Sequence, residues 1–205
     1  MFKNSETYMP TYTLIAINVA VYGYTSILSG NINGTSDWVI SSYGQNNALV
    51  LNGEAWRLLT AIFIHANLLH IVGNMLFLLI FGLRAEKLFD LKEYLAVYFL
   101  SGLAGGLLTL LMGPDVWSIG ASGAIFGIIG ASTIYSSRAI GQSIVTALLF
   151  SFFLLIINSL SPDVNIFAHL GGLAAGLLIG YALAATRKPR QIITYKYNYP
   201  SSIGK

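Results

Sequence analysis

Apolar residues along this chain fall into six blocks, each bounded by polar residues or by Gly and Pro, and each block predicts one helix. The first runs from about Tyr12 to Leu28, with Pro10 just ahead of it, a residue suited to a first helical turn. The second covers roughly Leu68 to Phe81, with apolar residues reaching back to Leu58. The third runs from about Tyr94 to Met112 and stops at Gly113-Pro114. A shorter fourth extends from near Gly120 to about Tyr135, the fifth from Ile144 to Leu160, and the sixth from Phe167 to Ala185. One bilayer crossing takes about 20 apolar residues. Six crossings and their loops therefore occupy nearly all of the 205 residues. The fold class this predicts is all-α: a polytopic membrane protein with one bundle of six transmembrane helices.

Composition sharpens the same picture. The chain is 55% hydrophobic and 9% charged, with a mean hydropathy of +0.69. A soluble domain carries about 25% charged residues, so a soluble globular enzyme, a disordered tail and a nucleic-acid binder are excluded. The net charge of +3 comes from scattered Lys and Arg, too few for a patch that tracks phosphates. There is no cysteine, which excludes disulfides, thiolate catalysis and sulfur-ligated metals. The first block lacks the basic flank and small-residue cleavage site of a signal peptide. No repeat of fixed period suggests an inverted-repeat transporter.

Charge also orients the bundle, because cytoplasmic loops collect Lys and Arg. With the N-terminus inside, the inner segments hold Lys3, Arg84, Lys87, Lys92, Arg138, Arg187, Lys188, Arg190, Lys196 and Lys205, and the outer ones hold only Arg57. The expectation is a multi-pass protein of the cell membrane with both termini cytoplasmic. Residues 1–9 form a cytoplasmic segment, 10–187 the six-helix membrane domain, and 188–205 a basic cytoplasmic tail near anionic lipid. The first outer loop, 29–57, is longer than a connection needs and carries Trp38 and Trp56. Rings of that kind suit the headgroup zone, so part of the loop is expected in the interface; the alternative is a solvated loop with scattered aromatics.

The candidate chemistry comes from polar residues at membrane depth. Of three histidines, His65 and His70 bracket the start of the second helix and His169 opens the sixth. Asn74 follows His70 at i+4, on the same helical face. Ser122 sits in the first turn of the fourth helix, within Gly120-Ala121-Ser122-Gly123-Ala124. The second, fourth and sixth helices all begin outside, so these groups share a depth near the outer leaflet and could converge on one cavity. Each alone has a bland reading: a serine packs or bonds its own helix, and an asparagine ties helices together. For His65 a structural role is preferred. Three histidines could also hold a metal, but no acidic residue near His70 or His169 supports that account, so neither metal nor cofactor is expected. Gly172, Gly176 and Gly180 give the sixth helix a smooth face, and Gly123, Gly127 and Gly130 thin the fourth. Close packing of those faces would bring imidazole to hydroxyl.

These residues resemble the rhomboid intramembrane serine proteases. Gly120-Ala121-Ser122-Gly123 is similar to that family's GxSG nucleophile motif, and Ala168-His169-Leu170-Gly171-Gly172 through Gly176 to its AHxxGxxxG motif. His65 through His70 to Asn74 matches HxxxxHxxxN, Trp56-Arg57 matches a Trp-Arg pair of the first loop, and Glu86 falls where a polar residue follows the second helix. The resemblance runs from about Tyr12 to Ala185. Phe126 stands where other members often have tyrosine and keeps a ring to pack on the histidine. The resemblance implies a six-helix rhomboid-like bundle that cleaves transmembrane or membrane-proximal segments of other membrane proteins. It implies that Ser122 is the nucleophile and His169 the general base, with His70, Asn74 and the Ser122 amide as oxyanion hole. No acidic third member lies near His169, so packing would orient the imidazole. The family also implies a fifth helix that moves aside for substrate. The loop Ser159 to Asn165, just before His169, could cap the cavity, the alternative being an ordinary short connector, and the bulky Phe152 and Phe153 are expected to hold the gate. Two other classes stay open: a proteolytically silent rhomboid-like protein that binds membrane clients, and a channel or transporter. Intact Ser122 and His169 argue against the first, and the lack of ionisable residues in several helices argues against the second.

Overall fold

The computed structural model describes residues 9–139, 143–159 and 164–187. The basic tail 188–205, nearly all of segment 1–9 and residues 160–163 of the expected cap lie outside the described residues. The elements, in chain order, are α1 (Pro10–Ser29), α2 (Asp37–Tyr43), β1 (Gln45–Asn46), α3 (Asn47–Leu51), α4 (Arg57–Thr60), α5 (Leu68–Glu86), α6 (Leu91–Thr109), β2 (Trp117–Ser118), α7 (Ser122–Ala139), α8 (Ile144–Asn158) and α9 (Ile166–Thr186). The six long helices fall on the six apolar blocks. Four segments, Pro10–Ser29, Leu68–Glu86, Leu91–Met112 and Ile166–Thr186, are long and apolar enough to cross a membrane. The other two long helices fall short for different reasons. α8 has 15 residues, about 22 Å at 1.5 Å per residue, against a hydrocarbon core of about 30 Å. α7 has 18, diluted by Ser, Thr and Gly.

Local chemistry sets the helix starts. Asn67, Ser143 and Asn165 cap α5, α8 and α9 with their side chains, and Asp90 and Glu93 form a reciprocal capping box on α6. The start of α1 is finished from elsewhere in the chain: Thr11 N–H donates to Glu86 Oε1 at 2.8 Å. Thr11 Oγ1 and the Tyr94 hydroxyl, 2.9 Å apart, then lock α1 to α6. At the same end, Arg187 after α9 pairs with Glu93 and donates to Leu88 O at 2.9 Å.

α7 is the central helix, buried over most of its length. It is gripped by α6 and α9 through glycines. In lipid the hydrophobic effect does not drive helix association, so close backbone approach has to. A Cβ placed on Gly172 would lie 2.0 Å from Gly123 O, and one on Gly176 2.1 Å from Gly127 O. On the other side, a Cβ on Gly127 would meet Ser101 of α6, and α6 and α9 also meet each other closely, where a Cβ on Gly105 would lie 2.4 Å from Ala168 O. α8 is peripheral by contrast. Only Ala147, Ser151 and Leu155 are buried, a row at i+4 spacing. Phe152 and Phe153 are 44% and 58% exposed and lie outside that inward row.

The loop 29–57 is a folded element rather than a solvated connection. β1 pairs antiparallel with β2, Gln45 opposite Ser118. The Asn47 amide donates to Thr109 O and Gly113 O, fixing the loop to the end of α6. Arg57 is buried; its Nη1 donates to Ser41 O and Gly44 O at 2.8 Å, and its Nε pairs with Glu54 at 2.7 Å. Trp38 and Trp56 stay about half exposed.

Candidate active site

The candidate residues gather around the first turn of α7, and the backbone contacts explain why. Two residues before Ser122, Gly120 has φ +111°, a conformation that only glycine adopts readily. A Cβ there would sit 2.8 Å from His70 Nε2 and 3.9 Å from Asn74 Nδ2. This thin turn lets α5 lay His70 and Asn74 against the entry to α7. One residue after Ser122, a Cβ on Gly123 would lie 3.1 Å from Ala168 O, the residue before His169. One turn after Ser122, the Phe126 ring packs on the His169 imidazole, centroids 4.6 Å apart. Near Ser122, Gly120 thus lies against His70 with Asn74 close by, and Phe126 packs on His169. Ser122 itself is half-buried, and His169 and Asn74 are buried.

The hydrogen bonds assign roles to several ring and amide atoms. Ala66 N–H donates to His70 Nδ1 at 3.4 Å, which puts the ring proton on Nε2, the atom facing Gly120. Asn74 Nδ2 donates one proton to His70 O at 2.9 Å and keeps a second. As the first residue of α7, Ser122 has a backbone N–H without a partner inside the helix. Ser122 Oγ and His169 make no direct hydrogen bond. His169 Nδ1 is engaged instead by Ser159 Oγ at 2.9 Å. Sequence reasoning placed Ser159 in a cap and missed this contact, since a serine near a helix end carries no distinguishing signal. It missed Asn165 too. Besides capping α9, the Asn165 amide donates to Thr109 Oγ1 and Ser118 Oγ at 2.9 Å each, anchoring the start of α9 four residues before His169. Behind the α7 entry lies a cavity of about 20 Å³, room for about one water, lined by Gln45, Ser118, Gly120 and Gly123 among others.

His65 packs edge-on against His70, ring centroids 5.1 Å apart. It is fully buried, its Nδ1 lies 3.2 Å from Phe63 O, and Thr35 Oγ1 donates to its carbonyl at 2.7 Å. Burial, and after it the neighbouring His70 charge, push its pKa down to about 3. The unfolded chain then binds a proton that the folded protein refuses between about pH 6.5 and pH 3. Stability contributed by neutral His65 is therefore complete above the unfolded pKa and falls as pH drops through that window. Acid denaturation of the wild type in detergent should be steeper there than that of His65→Gln. Parallel curves would remove this account of His65. Among the described residues no group of three or more His, Asp and Glu side chains forms a metal site, so the three-histidine metal account gains no geometric support.

Comparison with known proteins places these residues in a family context. A family model described as Rhomboid domain matches residues 52–186, a stretch that contains His70, Asn74, Ser122 and His169. The chain is similar to RHOMBOID-like protein 6, mitochondrial, of Arabidopsis thaliana, 37% identical over 155 residues, covering 73% of this chain and 48% of that one. It is similar to the Putative rhomboid protease YdcA of Bacillus subtilis, 31% identical over 201 residues, covering 92% of this chain and 97% of that one. A third relative, Rhomboid-like protease 3 of Toxoplasma gondii, is 37% identical over 139 residues, 62% of this chain and 51% of that one. The chain spans about half or less of the plant and Toxoplasma relatives and nearly the whole of the bacterial one.

Proposed function

We infer from one premise, that the chain belongs to the rhomboid family, that it is an intramembrane serine endopeptidase. Its substrates are membrane proteins, cut in transmembrane or membrane-proximal segments. The observation that carries the reading is the convergence of α5, α7 and α9 on the first turn of α7, where Ser122 is flanked by contacts to His70, Asn74 and His169. In this reading His169 Nε2 takes the Ser122 proton as Oγ attacks the scissile carbonyl, because a serine hydroxyl is a weak nucleophile until a base removes its proton. Negative charge then develops on the carbonyl oxygen. The Ser122 amide, His70 Nε2–H and the second Asn74 amide proton are the donors that receive it. His169 returns the proton to the leaving amine, and water releases the acyl-enzyme. Both termini lie in the cytoplasm and the site opens toward the outer leaflet of the cell membrane. A continuous substrate helix hides its carbonyls, so cleavage falls where glycine or proline lowers the cost of unwinding.

The direct test incubates purified protein with a panel of single-pass membrane proteins, comparing wild type with Ser122→Ala and mapping products by mass spectrometry. Cuts near the outer leaflet, absent with the variant, support the reading; cuts clustered on the cytoplasmic side contradict it. Because the chain has no cysteine, single cysteines introduced at the termini report their side of the membrane without background.

The oxyanion donors make a second expectation. Losing one such donor typically lowers turnover by about 10²–10³-fold. Asn74→Ala and His70→Ala should each lower kcat by that order with little change in KM, and fluorophosphonate labelling of Ser122 should slow in parallel. Normal turnover per folded Asn74→Ala molecule would end its catalytic role and leave it as a tie within α5.

A further inference from the structure

We propose that Ser159, at the end of α8, is a positioning residue that holds the orientation of the His169 imidazole and, by accepting from Nδ1–H, favours the tautomer with a bare Nε2; this rests on the hydrolase reading above. Its hydroxyl lies 2.9 Å from His169 Nδ1. A neutral imidazole carries its proton on one nitrogen only, and the hydrogen bond at the other nitrogen decides which. A base for Ser122 needs a bare Nε2, so Nδ1–H must donate and Ser159 Oγ accept. The Phe126 ring packs on the imidazole at an interplanar angle of 36° and limits its movement. Packing cannot choose between the two nitrogens, nor oppose a half-turn of the ring that would exchange Nδ1 for a carbon. The hydrogen bond opposes the half-turn, and with Oγ as its acceptor it favours the tautomer that carries the proton on Nδ1.

The placement of Ser159 supports a dedicated role. It continues the inward row Ala147, Ser151, Leu155 by one more step of four, so its side chain leaves α8 on the face turned to the bundle. Its hydroxyl is not needed to close the helix, because the Ser159 backbone N–H does that by donating to Ile156 O at 3.0 Å. A hydroxyl also suits this setting electrostatically. A carboxylate in that partly buried position would carry a desolvation cost, whereas a neutral acceptor orients the ring and still favours the imidazolium formed during attack. One consequence concerns α8. The helix that exposes most of its apolar surface outside the bundle carries the partner of the general base, and a shift of about 1 Å lengthens the bond beyond hydrogen-bonding distance.

The experiment uses full-length protein in lipid, with histidine ring nitrogens labelled for NMR; only three imidazoles contribute signals. In the wild type at neutral pH the His169 ring should carry its proton on Nδ1. In Ser159→Ala that preference should be lost, kcat should fall about 10- to 100-fold, and KM should hold within about twofold. Ser159→Thr, which keeps the hydroxyl, should restore both tautomer and turnover. Ser159→Val, isosteric with the Thr variant, should not, and this pair repeats the comparison at equal volume should Ser159→Ala fold poorly. A wild-type ring protonated on Nε2, or a tautomer unchanged between the Thr and Val variants, overturns the proposal. A wild type that neither cleaves nor takes a fluorophosphonate label instead overturns the hydrolase reading, and the NMR comparison then decides the Ser159 bond by itself.

Discussion

Ser122→Ala should abolish cleavage, lowering turnover on the order of 10⁶-fold, the scale of a lost nucleophile in a Ser-His hydrolase. The protein should still insert and fold, since Ser122 is half-buried at the start of α7 and its side chain holds no other element in place. His169→Ala should cost a similar factor, because without a base the Ser122 hydroxyl stays protonated and inert. Ser122→Ala combined with His169→Ala should be no worse than either alone, as the two act as one unit. Single-turnover assays on a cleavable membrane substrate, alongside fluorophosphonate labelling, measure all three. Substantial cleavage by Ser122→Ala would rule out the serine mechanism. Inhibition of the wild type by a chelator, reversed by zinc, would revive the three-histidine metal account.

How much of this was readable in the chain depends on which force shaped each part. Lipid demands apolar residues in long runs, so hydropathy alone marked the helices to within a few residues, α5 and α9 included. The same demand makes polar residues at depth conspicuous, and for that reason Ser122, His70, Asn74 and His169 stood out. Where apolar residues surround a helix, that signal disappears. α8 is apolar on nearly every side, so nothing in its sequence pattern separates the inward row of Ala147, Ser151 and Leu155 from Phe152 and Phe153. Long-range polar ties are equally silent. Asn47 reaches Thr109 and Gly113, and Asn165 reaches Thr109 and Ser118, across 47 or more residues of chain. Local patterning has no access to such pairs, and both the folded first loop and the anchoring of α9 depend on them.

The close seam between α7 and α9 leads to the second large effect, in Gly172→Ala. A Cβ at Gly172 would meet Gly123 O at 2.0 Å, Gly123 C at 2.7 Å and Gly123 Cα at 3.0 Å, all backbone atoms that cannot swing aside. The helices must separate by about 1 Å or more before the methyl group reaches ordinary contact distance, and overpacking of this kind costs roughly 3 kcal/mol. Gly123 is the neighbour of Ser122, and Gly172 lies one turn beyond His169, so separation here draws the proposed base away from the nucleophile. A misplacement of about 1 Å lowers catalysis by about 10²-fold. Loss of alignment should reduce activity on the order of 10²-fold per folded molecule, and the overpacking should lower the unfolding midpoint as well. Gly73→Ala makes the control. It sits between His70 and Asn74 on α5, yet a Cβ there would meet nothing within 4 Å, so its stability and labelling rate should match wild type. The decisive measurement is the rate of fluorophosphonate labelling per folded molecule, taken with the unfolding midpoint on the same samples. A Gly172→Ala protein that melts early yet labels Ser122 at the wild-type rate would mean that the glycine seam serves folding alone. Loss of both in Gly172→Ala, with neither lost in Gly73→Ala, would mean that the distance between α7 and α9 sets the distance between hydroxyl and imidazole.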